Sequence, residues 1–185
     1  INISIYDRDT NFLKKEIDKL LSQDIELRAS GNLNEILKTV KECLKSKEFV
    51  QIIEDIYNLT KLFKDVSGAK SLRLLLATVN TNMCRKFHTD INDLRMLCTY
   101  SGPGTLWLTE NNINRDALGA FSDNEAIAIK EEKIQQVKTG SVILLKGAIY
   151  PQEGTIAAVH RSPTIEESGK KRLLLRIDTN EFLNF

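Results

Sequence analysis

This chain of 185 residues contains only two histidines, and one stands two residues before an aspartate in CRKFHTD (residues 84–90). On an extended strand alternate side chains share a face, so His88 and Asp90 project together while Thr89 points away. The other histidine, His160, ends the apolar run TIAAV, where a strand end can deliver its ring into a cavity. An imidazole and a carboxylate on one edge, met by a second imidazole from another strand, make a two-histidine, one-carboxylate facial triad. That donor set suits non-haem Fe(II) and leaves coordination positions open. An HxD pair alone is a weak signal, because such spacings arise by chance in surface strands. The distal histidine and the strand pattern between them strengthen it. The competing reading leaves both histidines as ordinary hydrogen-bonded or exposed side chains.

The cysteines open a rival. Cys84, His88, Cys98 and His160 have the donor types of a closed Cys2His2 zinc site. The two cysteines lack the short paired spacing of a zinc knuckle, however, and that site leaves Asp90 idle. Cys43, Cys84 and Cys98 are odd in number and form no CxxC, so a disulfide framework is not expected and a reducing, cytoplasmic setting is. Ligand type alone does not separate Fe(II) from Zn, Ni or Cu, because affinities follow the Irving–Williams order.

Two unlike halves must position these residues, read here as one domain over 1–185. In residues 1–70 the apolar positions recur at helical period. Leu13, Ile17, Leu20 and Leu21 follow the capping oxygens of Asp9 and Thr10. Leu33, Ile36, Leu37, Val40 and Leu44 follow Asn32. Phe49, Ile52, Ile53, Ile56 and Phe63 run toward a stop at Gly68. Each amphipathic helix needs a surface to cover. From residue 71 the pattern becomes short apolar runs between turn residues: SLRLLLATV, DLRMLCTY, TLWL, SVILLKG, TIAAVH and KRLLLRID. SGPG at 101–104 and KTG at 138–140 break them, and 111–136 has room for a short helix and a loop. Strands without βαβ alternation favour an antiparallel sandwich or barrel. Gly102, Pro103 and Gly104 read as a tight turn, since no P-loop Lys-Ser/Thr follows. Trp107 is read as core before substrate platform.

Charge and hydropathy exclude some classes. A net charge of +1 gives no field for nucleic acid or an anionic membrane, and no apolar run approaches the ~20 residues of a bilayer span. The opening INISIYDRDT lacks the layout of a signal peptide, and its lack of Met points to a trimmed start.

The elements FHTD, CTYSGPGTLWL, GSVILLKG, HRSP and GKKRLLLRID together resemble the double-stranded β-helix of Fe(II)/2-oxoglutarate-dependent oxygenases. Cys-x-x-Phe-His-x-Asp, Thr-Tyr-x-Gly-Pro-Gly-Thr and His-Arg-Ser-Pro more closely resemble a family of uncharacterised bacterial proteins, the domain of unknown function 1826 family. The resemblance implies an α+β fold: a jelly-roll or cupin-like core over 71–185 with an N-terminal helical layer. It makes His88, Asp90 and His160 the ligands of Fe(II) or another divalent metal. It makes Arg172 the anchor of the 2-oxoglutarate carboxylate, with Arg176, four residues on and on the same face, as the alternative and Arg161 as a third. Tyr100 is expected either to hydrogen-bond the cosubstrate or to sit in the core. Arg95 has the opposite strand parity, so the two cannot share a cavity without a bulge. The implied activity is oxidation, such as hydroxylation, of an unidentified small molecule or peptide. The alternatives are a non-catalytic metal-binding protein of the same fold, serving metal homeostasis, and an interaction domain using the helical half.

Overall fold

A computed structural model describes residues 1–45 and 47–179. The strands are β1 (Ile3–Tyr6), β2 (Glu26–Gly31), β3 (Leu72–Val79), β4 (Leu94–Ser101), β5 (Leu106–Trp107), β6 (Gln135–Gln136), β7 (Val142–Lys146), β8 (His160–Arg161) and β9 (Arg172–Thr179). Helices α1 (Lys14–Gln23), α2 (Leu33–Cys43) and α3 (Val50–Ser67) lie in the first half. Two short ones, α4 (Arg115–Gly119) and α5 (Asn124–Ile127), lie between β5 and β6.

Local chemistry sets the helix ends. The Asp9 carboxylate accepts the Asn11 N–H at 2.8 Å ahead of α1. Asn32 and Glu35 form a reciprocal capping box on α2, which satisfies backbone donors that the first turn leaves unpaired. Gly68 ends α3 at φ +70°, a conformation glycine adopts without Cβ strain.

The strands form a mixed α/β architecture with one large antiparallel sheet, in the order β1-β7-β4-β9-β3-β2, and a small one, in the order β6-β5-β8. Strand parity gives the large sheet two different faces. Leu72, Leu74 and Leu76 of β3, Met96, Cys98 and Tyr100 of β4, and Leu173, Leu175 and Ile177 of β9 point one way. There they join Leu20, Ile36, Ile56 and Phe63 from the three long helices in one apolar cluster. Phe63 is fully buried in it, and its truncation to Ala should cost about 3–5 kcal/mol. The opposite face carries Leu75, Ala77, Leu97, Ile143, Leu145 and Leu174, which pack on Ala158, Val137, Ile165 and Trp107. This second face holds the site.

Three features differ from the sequence-based expectation. Residues 1–70 are not wholly helical, because β1 and β2 occupy the two edges of the large sheet. Only Leu27 and Ala29 of β2 are buried, so its period-two signal is two residues long. TIAAVH is a strand only at its end: the run before His160 is tied by single hydrogen bonds, Ala158 N–H to Lys146 O and Leu108 N–H to Val159 O. The segment between β5 and β6 has its own apolar cluster, in which Ile113, Ile127 and Ala128 meet Phe87, Leu108 and Val159.

A candidate metal centre

His88 lies outside any ladder of length. It forms an isolated antiparallel bridge with His160, each backbone N–H donating to the other's carbonyl, at 3.0 and 3.1 Å. That bridge, and not a regular HxD strand, brings the two rings to a centroid separation of 4.6 Å. Asp90, in the loop that follows, faces both. Its Oδ1 lies 3.6 Å from His88 Nε2 and its Oδ2 lies 3.5 Å from His160 Nε2. One potential ligand atom from each residue falls within 4.8 Å of the others.

The protonation states suit a cation. His88 Nδ1 faces the Lys86 carbonyl at 2.8 Å; as the protonated nitrogen it donates there and leaves Nε2 with its lone pair toward Asp90. Asp90 raises the His88 pKa above its usual 6.5, against burial. Burial pushes His160 down to about 4, so its imidazole is neutral at pH 7. Burial also opposes ionisation of Asp90, but His88, His160 and Arg95 outweigh it and hold the carboxyl at about 2. Asp90 Oδ2 is buried without a hydrogen-bond partner among the described residues. A buried anionic oxygen with no donor is costly. A divalent cation held by Asp90 and the two imidazoles would remove that cost, so the three residues fit a metal ion.

Arg95, which the sequence does not mark as part of the site, holds Asp90 in place. Its Nη1 donates to Asp90 Oδ1 and its Nε to Asp178 Oδ1, both at 2.6 Å. Asp178 is 2% exposed and also forms an ion pair with Arg176, whose Nε lies 3.1 Å from its Oδ2. Arg95 and Asp178 are direct cross-strand partners on β4 and β9, which explains the pairing. The signal in the sequence was parity alone: Arg95, Leu97 and Thr99 alternate on one face, and Met96, Cys98 and Tyr100 on the other.

Arg172 is 1% exposed and lines the same cavity as His88, His160, Arg95 and Thr105. Its Nη2 donates to Thr99 Oγ1 at 3.1 Å, and its Nε is buried without a partner. No carboxylate pairs with it among the described residues, and burial pushes its pKa down to about 10. The SGPG turn supports it closely. Gly102 has φ +83°, and a Cβ there would lie 2.8 Å from Arg172 Cγ. Arg176 lines the cavity too, although its Nε is engaged by Asp178. Arg161 turns away: its guanidinium lies 5.1 Å from the centre of the Phe87 ring and donates to Ser162 O. Trp107 packs in the core opposite His160 in register.

Tyr100 is a correction. It sits on the helix-facing side of β4, 3% exposed, and donates to Asp55 Oδ2 at 2.6 Å. The whole thickness of the sheet separates it from the triad, so it cannot reach a molecule bound there. The β4 register shift between Thr99 and Ser101 falls at Tyr100 itself, and it still leaves the ring in the helix-side cluster. Parity removes the Cys2His2 site as well. Cys98 shares the face of Tyr100 and takes a hydrogen bond from Arg8 at 3.3 Å, while Cys84 is exposed at the cavity wall.

Residues 1–178 match the family described as protein of unknown function DUF1826. The chain belongs to the DUF1826 family. No curated protein matches this DUF1826 chain. Solved structures similar to it include AtDAO1, the dioxygenase for auxin oxidation 1 from Arabidopsis thaliana, in a 2-oxoglutarate complex. The identity is 10% and the TM-score 0.53, over 83% of this chain and 61% of AtDAO1. The Fe(II)/α-ketoglutarate-dependent dioxygenase TqaL aligns over 91% of this chain and 74% of its own, at 13% identity and a TM-score of 0.48. At 10% identity the likeness to AtDAO1 concerns the fold, and the DUF1826 chain spans about three fifths of that protein's length. Among the described residues no helix is long and apolar enough to cross a membrane.

Proposed function

We propose that this protein is a double-stranded β-helix oxygenase that uses Fe(II) and 2-oxoglutarate to oxidise a substrate. The observation that carries the reading is Arg172. A guanidinium buried without a counter-ion, in one cavity with a two-histidine, one-carboxylate cluster, calls for an anion. A keto acid supplies that anion at one end and metal-chelating oxygens at the other. The fold likeness to AtDAO1 supports the same reading.

The residues divide the work. His88, Asp90 and His160 would hold the metal on one side, leaving the opposite positions open. The Fe(II) centre, with the keto acid, supplies the capacity to activate dioxygen. Arg172 would take the distal carboxylate in its planar fork, with Thr99 adding a hydroxyl beside it. Arg95 holds Asp90 in orientation through a second carboxylate, Asp178. Leu97, Leu174 and Val79 line the same cavity and keep bulk water from it.

The cavity around the triad is narrow, about 50 Å³. A five-carbon diacid enters only if a wall yields, and Met83 and Cys84, both exposed, have the least packing behind them. The same narrowness favours a second reading, a protein of this fold that holds metal without turnover. Anaerobic titration of the Mn(II)-loaded protein with 2-oxoglutarate separates the two. Binding is expected, and Arg172→Met should weaken it about a hundredfold, the value of a lost charge-assisted pair, with Mn(II) affinity unchanged. A Mn(II)-loaded protein that ignores the keto acid leaves only the metal-binding reading.

A further inference from the structure

A second cavity, about 250 Å³, adjoins the metal cavity and shares Arg176 with it. Arg28 and Arg73 also line it, with Ser30, Leu75 and Asp178. Strand register assembles this surface. Arg28 of β2, Leu75 of β3 and Arg176 of β9 form one cross-strand row, and Ser30, Arg73 and Asp178 form the next, which continues to Arg95 on β4. Every member has the parity of the site face.

The charges in these rows do not cancel. Asp178 is shared between Arg95 and Arg176, and Asp90 takes the second arm of Arg95. Arg28 pairs with Glu26, but both are largely exposed, where such a pair is worth little. Arg73 makes no ion pair or hydrogen bond among the described residues, and its Nε is buried without an acceptor. Burial pushes Arg176 below the usual arginine value; Asp178 opposes this, while the neighbouring Arg95, Arg28 and Arg73 push it further down. Guanidinium groups are crowded together here with a deficit of anions.

We propose that this cavity binds the oxyanionic group, carboxylate or phosphate, of a small-molecule substrate, with Arg73 as its principal partner and Arg28 and Arg176 flanking. That the bound acid is a substrate rests on the oxygenase reading; that the cavity takes an acid does not. Arg172 and Arg176 are four residues apart on one strand, about 13 Å. The two acid-binding ends are therefore distinct: Arg172 with Thr99 at one, Arg73 with Arg28 at the other, and Arg176 between. A substrate held by its acid at the second end can extend its remaining carbons toward the triad. Planar guanidinium pairs match carboxylate and phosphate equally in kind, so the preference between them is for experiment to give.

The test uses protein loaded with Mn(II) and 2-oxoglutarate, titrated calorimetrically with benzoate, phenyl phosphate and the neutral benzamide. At least one acid should bind and benzamide should not; whichever acid is tighter identifies the source of the oxyanion. Arg73→Met should weaken that acid at least tenfold, and the exposed Arg28→Met several-fold, with Mn(II) and 2-oxoglutarate affinities unchanged and circular dichroism intact. Equal acid binding by wild type and both variants overturns the proposal, as does displacement of 2-oxoglutarate by the acid. A wild-type protein that ignores 2-oxoglutarate yet binds benzoate through Arg73 keeps the anion site and removes the oxygenase reading.

Discussion

At the scale of single residues, the centre combines three ligands whose protons are already sorted. At pH 7 Asp90 is ionised and His160 neutral, while His88 is the one with a raised pKa. Metal binding should therefore release at most one proton, from His88, and the number released should rise as the pH is lowered toward the His88 value. Affinity should fall about tenfold per pH unit once the pH drops below the His88 value. Calorimetry in buffers of different ionisation enthalpy reads that number directly, and release of two protons would show that His160 is charged in the free protein. His160→Ala should weaken Mn(II) binding at least about a hundredfold while the far-ultraviolet signal survives, since an open site contributes less to folding than a closed structural one. Arg95→Met should cost about 10–100-fold in the same titration, the usual effect of losing a group that orients a ligand.

At the scale of elements, β4 acts as a partition. Its site face carries Arg95, Leu97 and Thr99; its helix face carries Cys98 and Tyr100 into a polar network with Arg8 and Asp55. Arg8 reaches the Asp55 carboxylate with both Nη atoms, at 2.5 and 2.9 Å. Burial raises the Tyr100 pKa well above its usual value, so the phenol stays protonated and donates. Tyr100→Phe should lower stability by about 1.5–3 kcal/mol in urea unfolding, the range for a hydrogen bond to a charged group. It should leave 2-oxoglutarate affinity unchanged; a Tyr100→Phe variant that folds normally but loses the keto acid would restore Tyr100 to the site. The sequence shows why this side was hard to assign. MLCTY and RLLLRID are buried on both faces, so their apolar runs carry no alternation from which to orient them. His88 and His160 were legible because no other histidine competes, and Asp90 because of its spacing from His88; Arg172 came from the family resemblance, which left Arg176 and Arg161 open beside it. Arg95 and Arg73 were not legible: what matters about each is its cross-strand neighbour, and register is a tertiary property. The N-cap of α2 and the stop of α3 were legible, because capping is local; β1 and β2 were not, because each is an edge strand with few buried positions.

At the scale of the molecule, the large sheet carries two cores of different character. The helix-side cluster gathers α1, α2, α3 and the sheet without any ligand of the metal centre. The site side is tied together more thinly. The small sheet has two-residue strands, and the segment from Cys84 to Asp90 is joined to it by the bridge between His88 and His160 and by the Ser162 N–H to Cys84 O bond. A metal held by His88, Asp90 and His160 would link that segment and β8 directly, and reach the large sheet through Arg95 and Asp178. Chelation should therefore loosen one side of the protein and spare the other, since local opening follows local contact density. Amide exchange should accelerate at least tenfold in residues 84–92 and 158–162 after metal removal. Protection in α3 and in the paired amides of β3 and β9 should change by less than about twofold, because those amides are held by hydrogen bonds within α3 and between the two central strands. Uniform loss of protection across α3 and the large sheet would mean that the metal holds the whole fold together, as a structural site does, and would count against an open catalytic centre.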